Sequence, residues 1–105
     1  MAGSTVVVGV VACSAILTIG LATAGAAAVL GQRLAGAADA AALAAADAAS
    51  GAIVGEPCVR AEEIATALGV AVTACDLDLL TATVTVSAPF GHVTARASAR
   101  AGPPP

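Results

Sequence analysis

The feature that most constrains this chain is a long N-terminal stretch without a charged side chain. From Ala2 to Gln32 the sequence is mostly Val, Ala, Ile, Leu, Gly, Ser and Thr, and the first charged residue is Arg33. A helix rises about 1.5 Å per residue, so roughly 20 apolar residues cross about 30 Å of hydrocarbon. The stretch Thr5–Leu30 exceeds that length. We therefore expect a transmembrane helix over residues 1–32 and a small tethered domain after it.

The residues after this stretch can build only a thin hydrophobic core. Phe90 is the single aromatic residue of the chain. Segments of this size usually need a covalent or quaternary staple to be stable. All the charged residues lie here as well, and they give a net charge of -3 without a block of like charge. Because there is no basic stripe and no aromatic platform, we expect no nucleic-acid partner.

Two of the three cysteines fall in this water-facing part. A Cys58–Cys75 bridge would close a loop of about 18 residues and contribute about 3 kcal/mol. The alternatives are two free thiols or half of a metal site, but His92 is the only histidine and no second close-set cysteine pair exists. We predict the disulfide, which implies an oxidising compartment outside the cytoplasm. Cys13, within the apolar stretch, is expected to behave as a small hydrophobic residue.

Alanine dominates the segment LAGAADAAALAAADAAS at residues 34–50, which predicts a helical extension of the first helix over residues 33–50. Asp39, Leu43 and Asp47 follow one another at i, i+4 spacing, so no clean apolar face is expected. Small residues also recur at every fourth position, a spacing that lets helix backbones approach closely. An alanine-biased composition produces the same spacing by chance. The predicted helix-packing residues are Gly20, Ala24, Ala28, Gly36, Ala40, Ala44 and Ala48.

A second, shorter helix is predicted after a break between Ser50 and Pro57, where Gly and Pro cluster. Pro57 suits its first turn, and Gly69 suits a left-handed C-terminal cap. One side of this helix is apolar at i, i+3, i+4, i+7 spacing, and the other side carries a charge cluster that we expect to be solvated rather than catalytic. The apolar residues are Ala61, Ile64, Ala65 and Leu68, and the polar ones are Arg60, Glu62, Glu63 and Thr66.

From Val70 the apolar period changes from 3.6 to 2, which predicts three antiparallel strands. Turns are predicted at Asp76–Asp78 and Pro89–Gly91, and His92 is placed on the polar side of the third strand. The predicted apolar faces, one for each strand, are Val70, Val72 and Ala74; Leu80, Ala82, Val84, Val86 and Ala88; and Val93, Ala95, Ala97 and Ala99. The two helices are the only elements available to cover them.

The sequence therefore predicts an α+β fold: a transmembrane helix with an Ala-rich extension, a short second helix and a three-stranded antiparallel sheet. Residues 51–101 form the small disulfide-stapled domain, and the Pro-rich residues 102–105 are expected to be a disordered tail.

Enzymatic chemistry has little basis in this sequence. His92 has no partner histidine, no Ser or Cys occurs in a nucleophile-elbow context, and no glycine-rich phosphate loop is present. We expect no enzymatic activity, no cofactor and no small-molecule substrate. Function is to be sought in assembly or binding.

An apolar N-terminal helix that continues into an Ala-rich half and then into a small disulfide-stapled sheet resembles the plan of pilins and pseudopilins. More specifically, the chain resembles the TadE-like proteins of actinobacteria, the small ones found near helicase and secretion genes. The segments that carry the resemblance are GSTVVVG at residues 3–9, QRLAGAADAAALAAADAA at 32–49 and EPCVRAEEIATALGVAVTAC at 56–75, followed by Val/Thr alternation and an Ala/Arg-rich end.

The resemblance implies a minor pilin-like subunit of a tight-adherence (Tad) or type IV-like pilus or secretion apparatus. Such a subunit crosses the cell membrane once, with its C-terminal domain outside the cytoplasm. Its expected partners are membrane lipid and other pilin-like or Tad secretion subunits. Type IV prepilins carry a Glu at the fifth position after the cleavage-point Gly. With Gly3 as that point, the position holds Val8, so cleavage by a prepilin peptidase is not supported.

Orientation and processing leave alternatives. Arg33 follows the apolar stretch, and a literal positive-inside rule would place the domain in the cytoplasm; we give precedence to the predicted disulfide and expect an upstream start codon with a basic leader. Ala22–Ala24 form an A-x-A site, so a signal peptide could instead release a soluble disulfide-containing binding module from Gly25 onward. A lipoprotein anchored at Cys13 and a single-pass membrane protein of unrelated role are further alternatives.

Overall fold

The structure, a computed structural model, describes residues 2–104 and confirms the predicted α+β fold. Two helices precede three strands along the chain, and the strands form one antiparallel sheet in the order β1-β2-β3. The chain divides into two compact units, Met1–Leu30 and Gly31–Pro105. The elements are α1 (Ala2–Ser50), α2 (Pro57–Ala67), β1 (Ala71–Asp78), β2 (Thr81–Phe90) and β3 (Val93–Ala101).

Both helices end in the same way, with a glycine in the left-handed region. After α2, Gly69 has φ +76, its N–H donates to the carbonyl of Thr66, and the N–H of Val70 donates to the carbonyl of Ala65. This pair of bonds is a Schellman motif, which satisfies carbonyls that the helix end would leave free. The predicted cap at Gly69 and the predicted first-turn position of Pro57 are confirmed.

Gly51 plays the same part after α1. Its φ is +80, its N–H donates to the carbonyl of Ala48, and the N–H of Ala52 donates to the carbonyl of Asp47. A side chain with a Cβ adopts this conformation only at a cost, so glycine fixes the point where the chain leaves the helix. The predicted helix break between Ser50 and Pro57 is therefore confirmed.

The core of the unit Gly31–Pro105 is built mainly from alanine. One face of α1 is buried between Leu34 and Ala46, and α2 and β2 contribute the remaining buried side chains. The predicted alternation of β2 is confirmed, because its threonines are more exposed than the apolar residues between them. The buried hydrophobic residues are Leu34, Ala37, Ala38, Ala41, Ala42, Ala45, Ala46, Ala61, Ala65, Ala82, Val84 and Val86.

The prediction that the Ala-rich helix lacks an apolar face is wrong. Asp39 and Asp47 are exposed, and Leu43, its largest apolar side chain after residue 34, is 57% exposed. The helix buries its alanines instead, at the i, i+3, i+4, i+7 spacing of a core-facing stripe. Leu68, predicted on the apolar side of α2, is likewise 55% exposed, because it is the C-cap residue and has left the helical conformation.

The predicted faces of β1 change partway along the strand because of a β-bulge. The register moves from Val72 opposite Val86 to Ala74 opposite Thr85, so Thr73 is the extra residue. An extra residue exchanges the two faces of a strand beyond it. Cys75 therefore lies opposite Val84 and shares the face of Val72, whereas simple alternation places it on the opposite face.

Both turns of the sheet lie later in the chain than predicted. β1 continues through the proposed Asp76–Asp78 turn, and the two-residue loop is Leu79–Leu80. Likewise, β2 continues to Phe90, so the second loop is Gly91–His92 and His92 lies in a turn rather than in a strand. Gly91 supplies a φ of +60 at this turn. At the first turn Leu79 adopts φ +57, a conformation that residue type does not signal.

The chain after β3 has no regular secondary structure in residues 102–104. Gly102 lies against β2, since a Cβ built on it would come within 3.0 Å of the Cα of Thr81. Pro105, the last residue of the predicted disordered tail, lies outside the described residues, and the disorder of the tail stays a prediction.

Candidate assembly surfaces

The first candidate surface is the apolar unit at the N-terminus. All the residues from Ala2 to Val29 are exposed, and the most apolar 18-residue window of the helix has a mean hydropathy of 2.4. The helix is long and apolar enough to cross a membrane. A signal sequence or the core helix of a soluble protein can have the same length and composition.

Two threonine hydroxyls within this unit donate hydrogen bonds to the helix backbone. Thr18 Oγ1 donates to the carbonyl of Ser14 at 2.8 Å, and Thr23 Oγ1 donates to the carbonyl of Ile19 at 2.9 Å. An unsatisfied hydroxyl in hydrocarbon costs free energy, and a bond to the carbonyl one turn earlier removes that cost. These two polar side chains are therefore compatible with a lipid environment.

The second feature is the disulfide, which the structure forms between Cys58 and Cys75 as predicted. The two Cα atoms lie 5.9 Å apart, within the usual range for a bridge. Cys58 belongs to the first turn of α2 and Cys75 to the middle of β1, so the bridge ties the short helix to an edge strand. Cys13 is a free and exposed thiol.

Arg60 holds the loop before α2. Its Nε donates to the carbonyl of Val54 at 2.9 Å, and its Nη1 lies 2.7 Å from Glu63 Oε2. The guanidinium passes close over Gly55, whose φ is +130, and a Cβ there would lie 2.5 Å from Arg60 Nε. The predicted solvation of the charge cluster on α2 is confirmed for Glu62, Glu63 and Thr66, which are exposed, whereas Arg60 is partly buried and acts as a clamp on the chain.

The predicted helix-packing residues do not form the internal core. Gly20, Ala24 and Ala28 are exposed, and so is Gly36; the members nearer the end of α1, Ala40, Ala44 and Ala48, are half-buried. A Cβ built on Gly20 or Gly36 would meet nothing within 4 Å. The small residues at 36, 40, 44 and 48 thus border the buried alanine face and leave a stripe of helix surface open, which we call the small-residue stripe.

An open groove of about 560 Å³ lies along part of this stripe. Its lining includes Gly36 and Ala40 from α1 and the exposed side chain of Leu68 after α2. Arg33 and Gln32 lie at the end of the groove that is nearer the N-terminus of α1. One wall of the groove is a helix surface of small residues, which another helix could approach closely, and the other wall is the apolar side chain of Leu68.

A further candidate surface is the outer face of the sheet. It includes the residues of β2 that alternate with the buried ones, and their neighbours on β1 and β3. Threonine and serine dominate its centre, and Thr85 Oγ1 and Ser98 Oγ lie 2.8 Å apart in a hydrogen bond. Thr73 Oγ1, on the bulge, donates to the carbonyl of Thr85 at 3.4 Å. Among the described residues, the charged side chains of this face lie on the two edge strands, with Asp76 and Asp78 on β1 and Arg96 and Arg100 on β3.

We compared the chain with protein-family models, with curated proteins and with solved structures, and none of them matches it.

Proposed function

We propose that this protein is a membrane-anchored, pilin-like subunit of the TadE-like kind, acting in a Tad or type IV-like pilus or secretion apparatus by packing rather than by catalysis. One observation carries the proposal: the uncharged helical segment from Ala2 to Val29 is exposed along its whole length. An apolar surface of this extent needs lipid or other apolar helices around it.

The disulfide supports a position outside the cytoplasm for the unit Gly31–Pro105. Structural disulfides persist in oxidising compartments and are rare in the cytosol. The Cys58–Cys75 bridge joins α2 to β1 in a unit with a thin core. We therefore propose a single-pass protein of the cell membrane with an extracytoplasmic C-terminal unit.

The small-residue stripe supports packing between helices. Small residues at every fourth position let two helix backbones come into close van der Waals contact. Gly36 is exposed and has no neighbour that a Cβ would meet. In the proposed mechanism, lipid holds the subunit until its helix packs against neighbouring pilin-like helices, and the sheet is then displayed outward.

The test is fractionation of the native protein in its own host, combined with intact-mass analysis and thiol alkylation. We expect a membrane-bound form that retains the residues before Gly25, in which Cys58 and Cys75 resist alkylation until reduced. Cross-linking in the same membranes should give complexes with other apolar-helix subunits. Recovery of the protein from the cytosol with all thiols reduced would refute the proposal.

A secreted binding module is the second candidate, favoured by the position of the A-x-A site. Cleavage after Ala24 falls within the unit Met1–Leu30 and leaves the unit Gly31–Pro105, with its disulfide, complete. The same intact-mass measurement separates the two candidates, since the secreted module begins at Gly25 and is found in the culture medium.

A further inference from the structure

The outer face of the sheet separates its charges by sign. The edge strand β1 carries Asp76 and Asp78, and the opposite edge strand β3 carries Arg96 and Arg100. All four are exposed. Within residues 2–104 none of these four side chains takes part in an ion pair or a hydrogen bond. One edge of the sheet is therefore acidic and the other basic, and both are unpartnered.

The strand register shows why the two edges do not neutralise each other within one copy. Asp76 lies opposite Thr83, and Thr83 lies opposite Arg100, so the three residues form one row across the sheet. Neighbouring strands are about 4.8 Å apart, which puts Asp76 and Arg100 about 10 Å apart across β2. The central strand keeps the opposite charges separate.

Among residues 2–104, both edge strands also keep one side of their backbone free, because each forms backbone hydrogen bonds with β2 alone. The bulge at Thr73 makes the beginning of β1 irregular, while the segment Ala74–Asp78 has a regular register. In the rows of the sheet, Ala74 and Leu77 correspond to Ser98 and Ala101 of β3. Arg100 is the only arginine in these rows, since Arg96 corresponds to Ala71, before the bulge.

We propose that β3 of one copy pairs with β1 of a second copy, so that the sheet continues from copy to copy. The inference rests on the proposed function, in that subunits anchored in one membrane share an orientation. Since β1 and β3 both run antiparallel to β2, they are parallel to each other, and commonly oriented copies bring them together as parallel neighbours. Arg100 then lies beside the second copy's Asp76 and diagonal to its Asp78, about one strand spacing away.

Charge selects this arrangement over symmetric pairing. Two β3 edges placed together bring arginines next to arginines, and two β1 edges bring aspartates next to aspartates, which is destabilising. Pairing of β3 with β1 is heterologous, so a pair of copies still has one free β1 edge and one free β3 edge, and the array extends. The ladder is short, and we expect it to form where the membrane raises the effective concentration of the subunit.

The experiment measures association of the full chain in phosphatidylcholine vesicles. Copies labelled at Cys13, the free thiol, with a donor or an acceptor dye report association by energy transfer. Arg100→Asp and Asp76→Arg each place like charges at the interface and are expected to weaken self-association about fivefold. Arg96→Asp is the matched control, with the same charge change on the same strand and face, and should change association less than twofold or so.

Restoration is the decisive result. A mixture of the Asp76→Arg and Arg100→Asp proteins, and the double variant D76R/R100D alone, should each recover the association of the original chain, because acidic edges again meet basic ones. Recovery also shows that the variants fold. Raising the salt concentration should weaken the original association. No loss with Arg100→Asp, an equal loss with Arg96→Asp, or no recovery in the mixture would overturn edge pairing.

Vesicle flotation of the same samples keeps this test separate from that of the proposed function. Protein that floats with the vesicles but shows no charge-dependent association overturns the edge pairing alone. A native form that begins at Gly25 and leaves the membrane overturns the proposed function.

Discussion

Cys75 lies opposite Val84, on the same face of β1 as Val72, because the single extra residue Thr73 exchanges the faces of β1 between Val72 and Ala74. Without the bulge, alternation would place Cys75 on the opposite face from Val72. The disulfide of the unit Gly31–Pro105 therefore depends on the bulge, because the bulge turns the Cys75 side chain of the edge strand toward the first turn of α2.

The bridge should supply a large part of the stability of this unit. Replacing both cysteines, as Cys58→Ala with Cys75→Ala, is expected to lower the free energy of unfolding by about 3 kcal/mol, since the unfolded chain is no longer cross-linked. Thermal unfolding of the full chain in detergent, followed by circular dichroism without reductant, measures the change. Cys13→Ala is the control and should leave the transition in place. Equal transitions for the two variants would contradict the prediction.

The alanine face of α1 should not accept larger side chains. Ala41 is fully buried, so Ala41→Leu adds volume where none is free and is expected to cost about 1–3 kcal/mol. Ala35→Leu makes the same change at an exposed position of the same helix and should leave stability nearly unchanged. Denaturant titration of both variants gives the comparison, and an Ala41→Leu protein as stable as the Ala35→Leu protein would show that the face is not packed as described.

Two glycines should respond in opposite directions to the same substitution. Gly69→Ala forces a side chain into the left-handed region at φ +76 and is expected to destabilise the unit by about 1 kcal/mol or more. Gly36→Ala lies in the interior of α1, with nothing within 4 Å of the new Cβ, and should stabilise the helix by about 0.5–1 kcal/mol. Chemical unfolding of the two variants decides the matter by the sign of each change.

Leu79, in the first hairpin turn, adopts a backbone conformation that is unfavourable for leucine and that a glycine would adopt without that cost. Leu79 has φ +57 and is 90% exposed, so Leu79→Gly removes an unfavourable conformation and little packing. We expect a gain in the free energy of unfolding of up to about 1 kcal/mol, the steric cost less the entropy of the new glycine. Leu80→Gly, at the second residue of the turn, where φ is not positive, should bring no gain. A loss of stability with Leu79→Gly would indicate that the leucine makes contacts of its own.

The small-residue stripe gives a prediction about assembly rather than stability. A Cβ on Gly36 meets nothing within 4 Å and the residue lines an open groove, so Gly36→Leu should leave the fold intact. It should nevertheless abolish cross-linked complexes in native membranes if neighbouring helices approach there. Ala35→Leu, next to it in sequence but outside the stripe, should preserve them. Complexes that survive Gly36→Leu would show that this part of the helix does not face a neighbour.

The periodicity of apolar residues predicted both helices and all three strands. It predicted the buried face correctly for β2 but not along the whole of β1. The clean alternation of β2 predicted its buried residues Ala82, Val84 and Val86, but Leu80, predicted on the same face, is exposed in the turn. The residue chemistry of Pro57 and Gly69 predicted both ends of α2. The first turn was predicted at Asp76–Asp78 because aspartate is common in turns, whereas the turn begins at Leu79, a residue type that carries no turn signal. The second turn was predicted at Pro89–Gly91 and lies at Gly91–His92, because β2 continues through Pro89 to Phe90. The bulge at Thr73 is a tertiary feature of strand pairing, and one-residue insertions leave no mark in local composition.

The candidate surfaces divide in the same way. The disulfide pair and the apolar helix were predicted from the sequence, because each depends on residue type and spacing alone. The clamp of Arg60 over Gly55 was missed, although a glycine five residues before an arginine was visible; only the loop conformation brings them together. The acidic and basic sheet edges were also missed, since they emerge from the register that relates β1 to β3 through β2.

Nine of the twelve buried hydrophobic residues among those that the structure describes are alanines. A methyl side chain has no rotamers to lose, so fixing these residues costs no side-chain conformational entropy, whereas longer apolar side chains each forfeit some on folding. Each buried alanine contributes little hydrophobic free energy, but its burial costs almost no side-chain conformational entropy. A short polypeptide with a single aromatic residue can therefore still have a defined fold.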